Sequence, residues 1–116
     1  MNANAETNMT DLQRISPDAA TKLLERGANV VDVRDPQSFA AGHIPDAVRL
    51  DNSNLPQYLA ATDRSKPLVV CCYHGISSQS AADYLASAGF EEVYSLDGGF
   101  DLWHHLFPEQ VARDDD

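Results

Sequence analysis

Two adjacent cysteines, Cys71 and Cys72, stand at the end of the apolar run PLVVCC, residues 67–72. A short turn, CYHGIS, leads from them into the helical pattern SSQSAADYLASAG. Side chains on a strand alternate between faces, so the two thiols meet opposite environments. A disulfide between neighbours would close a strained small ring that needs an unusual peptide geometry, which argues against a structural bridge. Cys71 continues the alternation of Leu68 to Val70 and is expected in the core; Cys72, read as the last strand residue, opens the turn and is the candidate nucleophile. Thiolate reactivity calls for exposure and an electropositive surrounding. The turn supplies the second through its backbone: Gly75 permits the positive φ that curls the segment around the sulfur. The amides of Tyr73 to Ser77 can then point inward as an anion nest, and a helix starting at Ser77 or Ser78 adds its positive end. The two serines are expected to cap that helix and to offer hydroxyls to the bound anion. Such a site can hold a thiolate of lowered pKa, or a persulfide whose outer sulfur carries the charge. The same residues also fit an ordinary strand-to-helix connection around a buried cysteine.

The elements that would fix this turn can be read on either side of it. LQRI predicts a short strand, and SPDAATKLLERG carries Ser16 as N-cap, Pro17 at the first helical position and Gly27 as a stop. NVVDV reads as a buried strand, and Asp35 and Pro36 open a short helix that Gly42 ends. AVRL is a brief strand. NSNLPQYLAAT follows as a helix capped by Asn52 or Ser53, with Leu55, Tyr58 and Leu59 at helical spacing. Beyond the turn, Ala81, Ala82, Leu85 and Ala88 share one helix face and Gly89 closes it. EVYSL is a further strand, DGG a turn, and FDLWHHLF a last helix stopped by Pro108. Strands alternating with helices predict an α/β domain with a mostly parallel sheet covered on both faces. In such sheets ligands sit outside the carboxyl ends of the strands, where the cysteines fall.

The 116 residues suffice for one core, and hence for one site. Eight Lys and Arg against eighteen Asp and Glu give a net charge of −10, which repels nucleic acid and anionic membrane. No apolar run is long enough to span a bilayer, and the polar start MNANAETNMTDLQ lacks the pattern of a secretory signal. The expected location is the cytoplasm, a reducing compartment in which the cysteines stay thiols. Residues 1–11 read as a flexible start, 12–108 as a single domain and 109–116 as an acidic, solvated tail.

Three segments, VVDVRDPQSFAAGHIPDAV, CCYHGISS and VYSLDGGFDLW, resemble in order and spacing the successive signatures of the rhodanese sulfurtransferases. The resemblance runs from about Leu12 to Pro108 and is nearest to the short single-domain thiosulfate sulfurtransferases, whose loop reads Cys-Tyr-His-Gly, one variable residue and two serines. It implies a rhodanese-like three-layer fold: a central five-stranded parallel sheet with helices on both faces. It also implies a cysteine that cycles between thiolate and persulfide, with no cofactor. The family nucleophile falls on Cys72 and its loop on Tyr73, His74, Gly75, Ile76 and Ser77, with Ser78 following. Many relatives carry an arginine or lysine in the loop; here it has none, so amides and hydroxyls must hold a dianion. Thiosulfate is the implied donor. Cyanide, small thiols such as glutathione, or a protein acceptor such as thioredoxin are the implied acceptors.

Asp32 and Arg34 lie two apart on a strand and share a face, where the resemblance makes them supports of the loop. His43 is expected as a hydrogen-bonded structural residue, because attack on a sulfane sulfur needs no proton abstraction. His74 reads as surface at the substrate approach. His104 and His105, one apart on a helix, point in different directions and are poor joint ligands, so no metal site is expected. Gly98 and Gly99 would let the backbone pass close to the catalytic loop. Two other functions fit the pattern less well. A Cys-loop phosphatase or arsenate reductase would want a longer loop ending in arginine, and a silent rhodanese-like binding module would commonly have lost Cys72.

Overall fold

Short β-branched runs and capped helical segments alternate along the chain, and the fold follows that alternation. The computed structural model describes residues 13–114, so the segment 1–11 and the last two residues of the tail lie outside the described residues. The elements are β1 (Arg14–Ile15), α1 (Pro17–Glu25), β2 (Asn29–Asp32), α2 (Pro36–Ala41), β3 (Val48–Arg49), α3 (Leu55–Ala61), β4 (Leu68–Cys71), α4 (Ser77–Ser87), β5 (Val93–Leu96) and α5 (Gly99–Leu106). The five strands form one parallel sheet in the order β1-β5-β4-β2-β3. β4, which carries the cysteines, is central and pairs with β2 (Asp32 opposite Cys71) and with β5 (Val70 opposite Ser95).

Alternation along the strands divides the core into two layers. Val30, Val69, Cys71 and Leu96 pack with Ala20 of α1 and with Phe100 and Trp103 of α5. Val31, Leu68, Val70 and Val93 face the other way, onto Ala82 and Leu85 of α4, with Leu55, Tyr58 and Leu59 of α3 against them. Both faces are thus covered, as parallel strands require. Burying Trp103, only 1 % exposed, contributes on the order of 3 kcal/mol.

Four local details differ from the sequence reading. β2 ends at Asp32, so Arg34 lies in the loop after the strand and not two residues along it. β4 ends at Cys71, one residue early, because the Cys71 carbonyl still accepts from Val33 of the loop after β2 while the chain turns away at Cys72. α3 is entered through Asn54 rather than Asn52 or Ser53; the Asp51 carboxylate accepts from Ser53 and Asn54 and builds a turn before the helix. Residues 109–114 return onto the domain: Ala112 exchanges backbone hydrogen bonds with His43, at 2.9 and 2.8 Å, and the Asp114 amide donates to Ala40. Among the described residues no helix is long and apolar enough to cross a membrane.

Candidate active site

β4 delivers the chain to the carboxyl edge of the sheet, and residues 72–76 curl there before α4 begins. Gly75 makes the curl, at φ +85°; a Cβ on it would lie 2.8 Å from the Gly98 nitrogen and 2.9 Å from the Leu96 carbonyl oxygen. Only glycine fits a left-handed turn with backbone that close. The segment Gly98–Gly99, also at positive φ, closes the other side: a Cβ on Gly99 would lie 2.5 Å from the carbonyl oxygens of Cys72 and Tyr73. That approach lets the first turn of α5 grip the loop, with Phe100 N donating to Cys72 O at 2.7 Å and Asp101 N to Tyr73 O at 3.0 Å.

The Cys72 sulfur sits at the centre of the curl. The amides of Gly75 and Ser78 donate to it at 3.1 and 3.2 Å, and the Ser78 hydroxyl lies 3.1 Å away. The sequence reading expected converging amides from Tyr73 to Ser77; the pair that reaches Sγ is Gly75 and Ser78. It also expected the serines to cap α4, but the N-cap position is Ile76, with no side-chain bond. The sulfur itself takes the cap's place at the start of the helix. Burial alone would push the Cys72 pKa up; the hydroxyls of Ser77 and Ser78 and the amides of Ser78 and Gly75 outweigh it and bring the pKa down to about 7. Cys72 is 2 % exposed, less than expected for a reactive thiol. Cys71, across one peptide bond, is pushed well up by burial and then by Asp32.

The other predicted residues fall into distinct places. Tyr73, His74, Ile76 and Ser77 are exposed around the mouth, Ile76 at 74 %, while Gly75 and Ser78 are buried. His74 stacks on Tyr73 with ring centroids 5.8 Å apart. Asp32 and Arg34 are both buried and form a bidentate pair: Nε donates at 3.0 Å and the terminal nitrogen at 2.7 Å. Burial would weaken the guanidinium's charge, but the Asp32 carboxylate overcomes this and holds it protonated. The same terminal nitrogen donates to Gly42 O, and the guanidinium lies over the rings of Phe100 and Tyr73 at 4.3 and 5.5 Å. Arg34 is therefore tied to the loop through Tyr73, whose hydroxyl also bonds Ser38 of α2. His43 stacks on Phe39, and its Nδ1 lies 2.8 Å from the Phe39 carbonyl.

The geometry adds residues that sequence reasoning missed. Gln79 donates to Gly75 O at 2.8 Å and steadies the curl. Ser95 of β5 lies beneath Ser78, with 2.7 Å between their hydroxyl oxygens. Its one visible signal was a serine at an inward strand position, where a hydroxyl must find a partner. The expectation of no metal site considered His104 and His105 alone; Asp101, one helical turn earlier, joins them, and their ligand atoms lie within 4.8 Å of one another on an exposed face. All three side chains are open to solvent.

A family model described as a rhodanese-like domain matches residues 16–106. The chain belongs to the rhodanese family. It is 56 % identical over 107 residues to a thiosulfate sulfurtransferase GlpE of Stutzerimonas stutzeri, covering 92 % of this chain and 98 % of the relative. A protein of the same name from Pseudomonas aeruginosa is 57 % identical over 100 residues, covering 86 % and 91 % of the two chains. Among solved structures, a rhodanese-like domain from Anabaena superposes with a TM-score of 0.74 at 25 % identity, over 86 % of this chain and 78 % of that one. The reduced CoADR-RHD of Bacillus anthracis, at 24 % identity, shares the fold with a TM-score of 0.76 over 95 % of this rhodanese and 19 % of that longer chain.

Proposed function

We propose that this rhodanese is a thiosulfate sulfurtransferase that works through a persulfide on Cys72. The observation that carries the reading is the Cys72 sulfur accepting two backbone amides at the head of a helix, with a pKa near 7. The names of relatives more than half identical over nearly the whole chain support the same reaction. The Cys72 thiolate attacks the outer sulfur of thiosulfate; a new S–S bond forms as the old one breaks, and sulfite leaves with the bonding pair. One negative charge stays on the outer sulfur of the persulfide, and two leave on sulfite. In the second half, cyanide or a thiolate attacks that outer sulfur, and Cys72 departs as a thiolate into the donors that received it. Loop amides lower the energy of the anion on both sides of the transfer.

Thiosulfate is the donor this reading favours. Cyanide, a small thiol such as glutathione, or a protein thiol such as thioredoxin would take the sulfur. The apolar rim of Tyr73 and Ile76 suits a partner that need not be strongly charged. The cytoplasm is the setting that keeps both cysteines as thiols. Incubating the protein with thiosulfate and weighing it intact tests the mechanism: the expected result is a gain of one sulfur atom, on Cys72, removed by cyanide with release of thiocyanate. A protein that turns over thiosulfate without gaining that sulfur would overturn it.

A further inference from the structure

Ser95 lies in the middle of β5, in the layer of the sheet that faces α4, and none of its surface is exposed. Its backbone amide is used by the sheet edge, donating to Gln13 O at 2.9 Å. Its hydroxyl is 2.7 Å from that of Ser78, which is equally buried and stands 3.1 Å from the Cys72 sulfur. Three polar atoms therefore form a chain of contacts from the sheet interior to the reactive sulfur: Ser95 Oγ, Ser78 Oγ, Cys72 Sγ. A strand this deep in a core has no need of a serine for packing; alanine or valine would suit it better.

We propose that Ser95 is a positioning residue for sulfur transfer, holding the Ser78 hydroxyl so that its proton points at the Cys72 sulfur. This rests on Cys72 being the nucleophile. Each hydroxyl has one proton to place, and a buried donor left without an acceptor is penalised. Among the described residues Ser78 Oγ is the hydrogen-bonding partner of the Ser95 hydroxyl, so the Ser95 proton goes there. Ser78 must then send its own proton the other way, to Cys72. The thiolate completes this chain, because it accepts and asks for no acceptor of its own. The neutral thiol gains less from it, since an uncharged sulfur is a weak acceptor and takes the Ser78 proton far less strongly than the thiolate does. Hydrogen bonds in a chain also polarise one another, so donation from Ser95 strengthens donation by Ser78. In the persulfide the negative charge has moved to the outer sulfur, and the chain no longer faces an anion. It therefore favours the states in which Cys72 is the attacking or the departing thiolate. No proton is consumed by the serines: the one that leaves the thiol goes to solvent, and the hydroxyls only rotate.

The test is the pH dependence of alkylation of Cys72 by iodoacetamide, in a Cys71→Ala background with folding checked by thermal melting. Ser95→Ala should raise the midpoint of that profile and slow alkylation about threefold at acidic pH, with little change above the midpoint. Ser78→Ala should do more. The double variant Ser78→Ala/Ser95→Ala should match Ser78→Ala alone, because Ser95 acts only through that hydroxyl. Ser95→Thr, which keeps the hydroxyl, should restore the profile. An unchanged midpoint in folded Ser95→Ala overturns the proposal, and so does a further rise in the double variant, which would mark a packing effect. Either result would leave the persulfide on Cys72 standing, since that is read separately by mass.

Discussion

Two loops leave the carboxyl edge of the sheet side by side and enter helices: Val33–Asp35 before α2 and Cys72–Ile76 before α4. In the first, the Asp35 carboxylate meets the helix, accepting from Ser38 N at 3.0 Å and from the Ser38 hydroxyl at 2.8 Å. These bonds hold its pKa below the usual carboxylate range, so the cap is a permanent charge. In the second, no side chain caps the helix, and the Cys72 sulfur accepts from Ser78 N instead. The two junctions use the same physics, a helix N-terminus offered to an anion. They differ in whether the anion is fixed. A carboxylate closes its junction, whereas a sulfur that titrates near neutrality leaves its junction available for the proposed chemistry.

The comparison breaks most sharply when each anion is removed. Cys72→Ser should abolish thiocyanate formation from thiosulfate and cyanide, whereas Asp35→Ala should lower Tm by a few degrees and leave turnover within about twofold, as expected for loss of a helix cap. Cys71→Ser, on the core side of the peptide bond, should lose stability and keep most activity. Next in size is Gly99→Ala, whose methyl would meet the Cys72 carbonyl oxygen at 2.5 Å. Displacing the loop by about an ångström should slow persulfide formation by about a hundredfold, measured by stopped-flow with thiosulfate. Gly27→Ala, also at positive φ but with open space around it, should leave that rate alone.

The pH profile sharpens the contrast further. Because the reactive form is the thiolate, persulfide formation should rise about tenfold per pH unit below a pH near 7 and level off above it. Cys71 and Asp35 should leave no inflection in that range, since one titrates far above it and the other below. The smallest effect concerns the missing loop cation. Ser77→Arg adds about 1 kcal/mol of attraction for thiosulfate and loses a hydroxyl of similar worth. Its gain in second-order rate should be a few-fold at low salt and fade as salt is added, because screening weakens only the charge. No gain at low salt would mean that loop geometry sets capture.

The junctions were legible to different depths. Ser16 and Asp35 declare themselves because a cap and its helix lie within four residues, and both accept from the amide three residues on. Gly75 was equally plain, since a positive φ leaves few choices of residue. The two core layers followed from strand alternation, and Cys71 was assigned correctly to the core by the same rule. What sequence could not show was contact across the sheet. Ser95 matters through Ser78, seventeen residues away; the close pass of Gly98 and Gly99 by the loop was legible from the paired glycines, but the bonds from Phe100 and Asp101 to Cys72 and Tyr73 were not. Helix entry at Asn54 was missed because the Asp51 carboxylate claims the local amides first. Asp101 joins its histidines because helices bring together residues three and four apart, a proximity that adjacency in the sequence hides.

The grip of α5 on the loop also says how this surface segment should move. The carbonyls of Cys72 and Tyr73 are bound by Phe100 and Asp101, and α5 is anchored in turn by the buried Trp103, whose indole donates to Gln110 O at 2.8 Å. Those two amides can exchange with deuterated solvent only when the helix lets go, and the helix lets go only when the aromatic leaves the core. Exchange at Phe100 and Asp101 should thus be as slow as at the central strands, governed by global rather than local opening. A loop that looks peripheral would then keep time with the centre of the molecule.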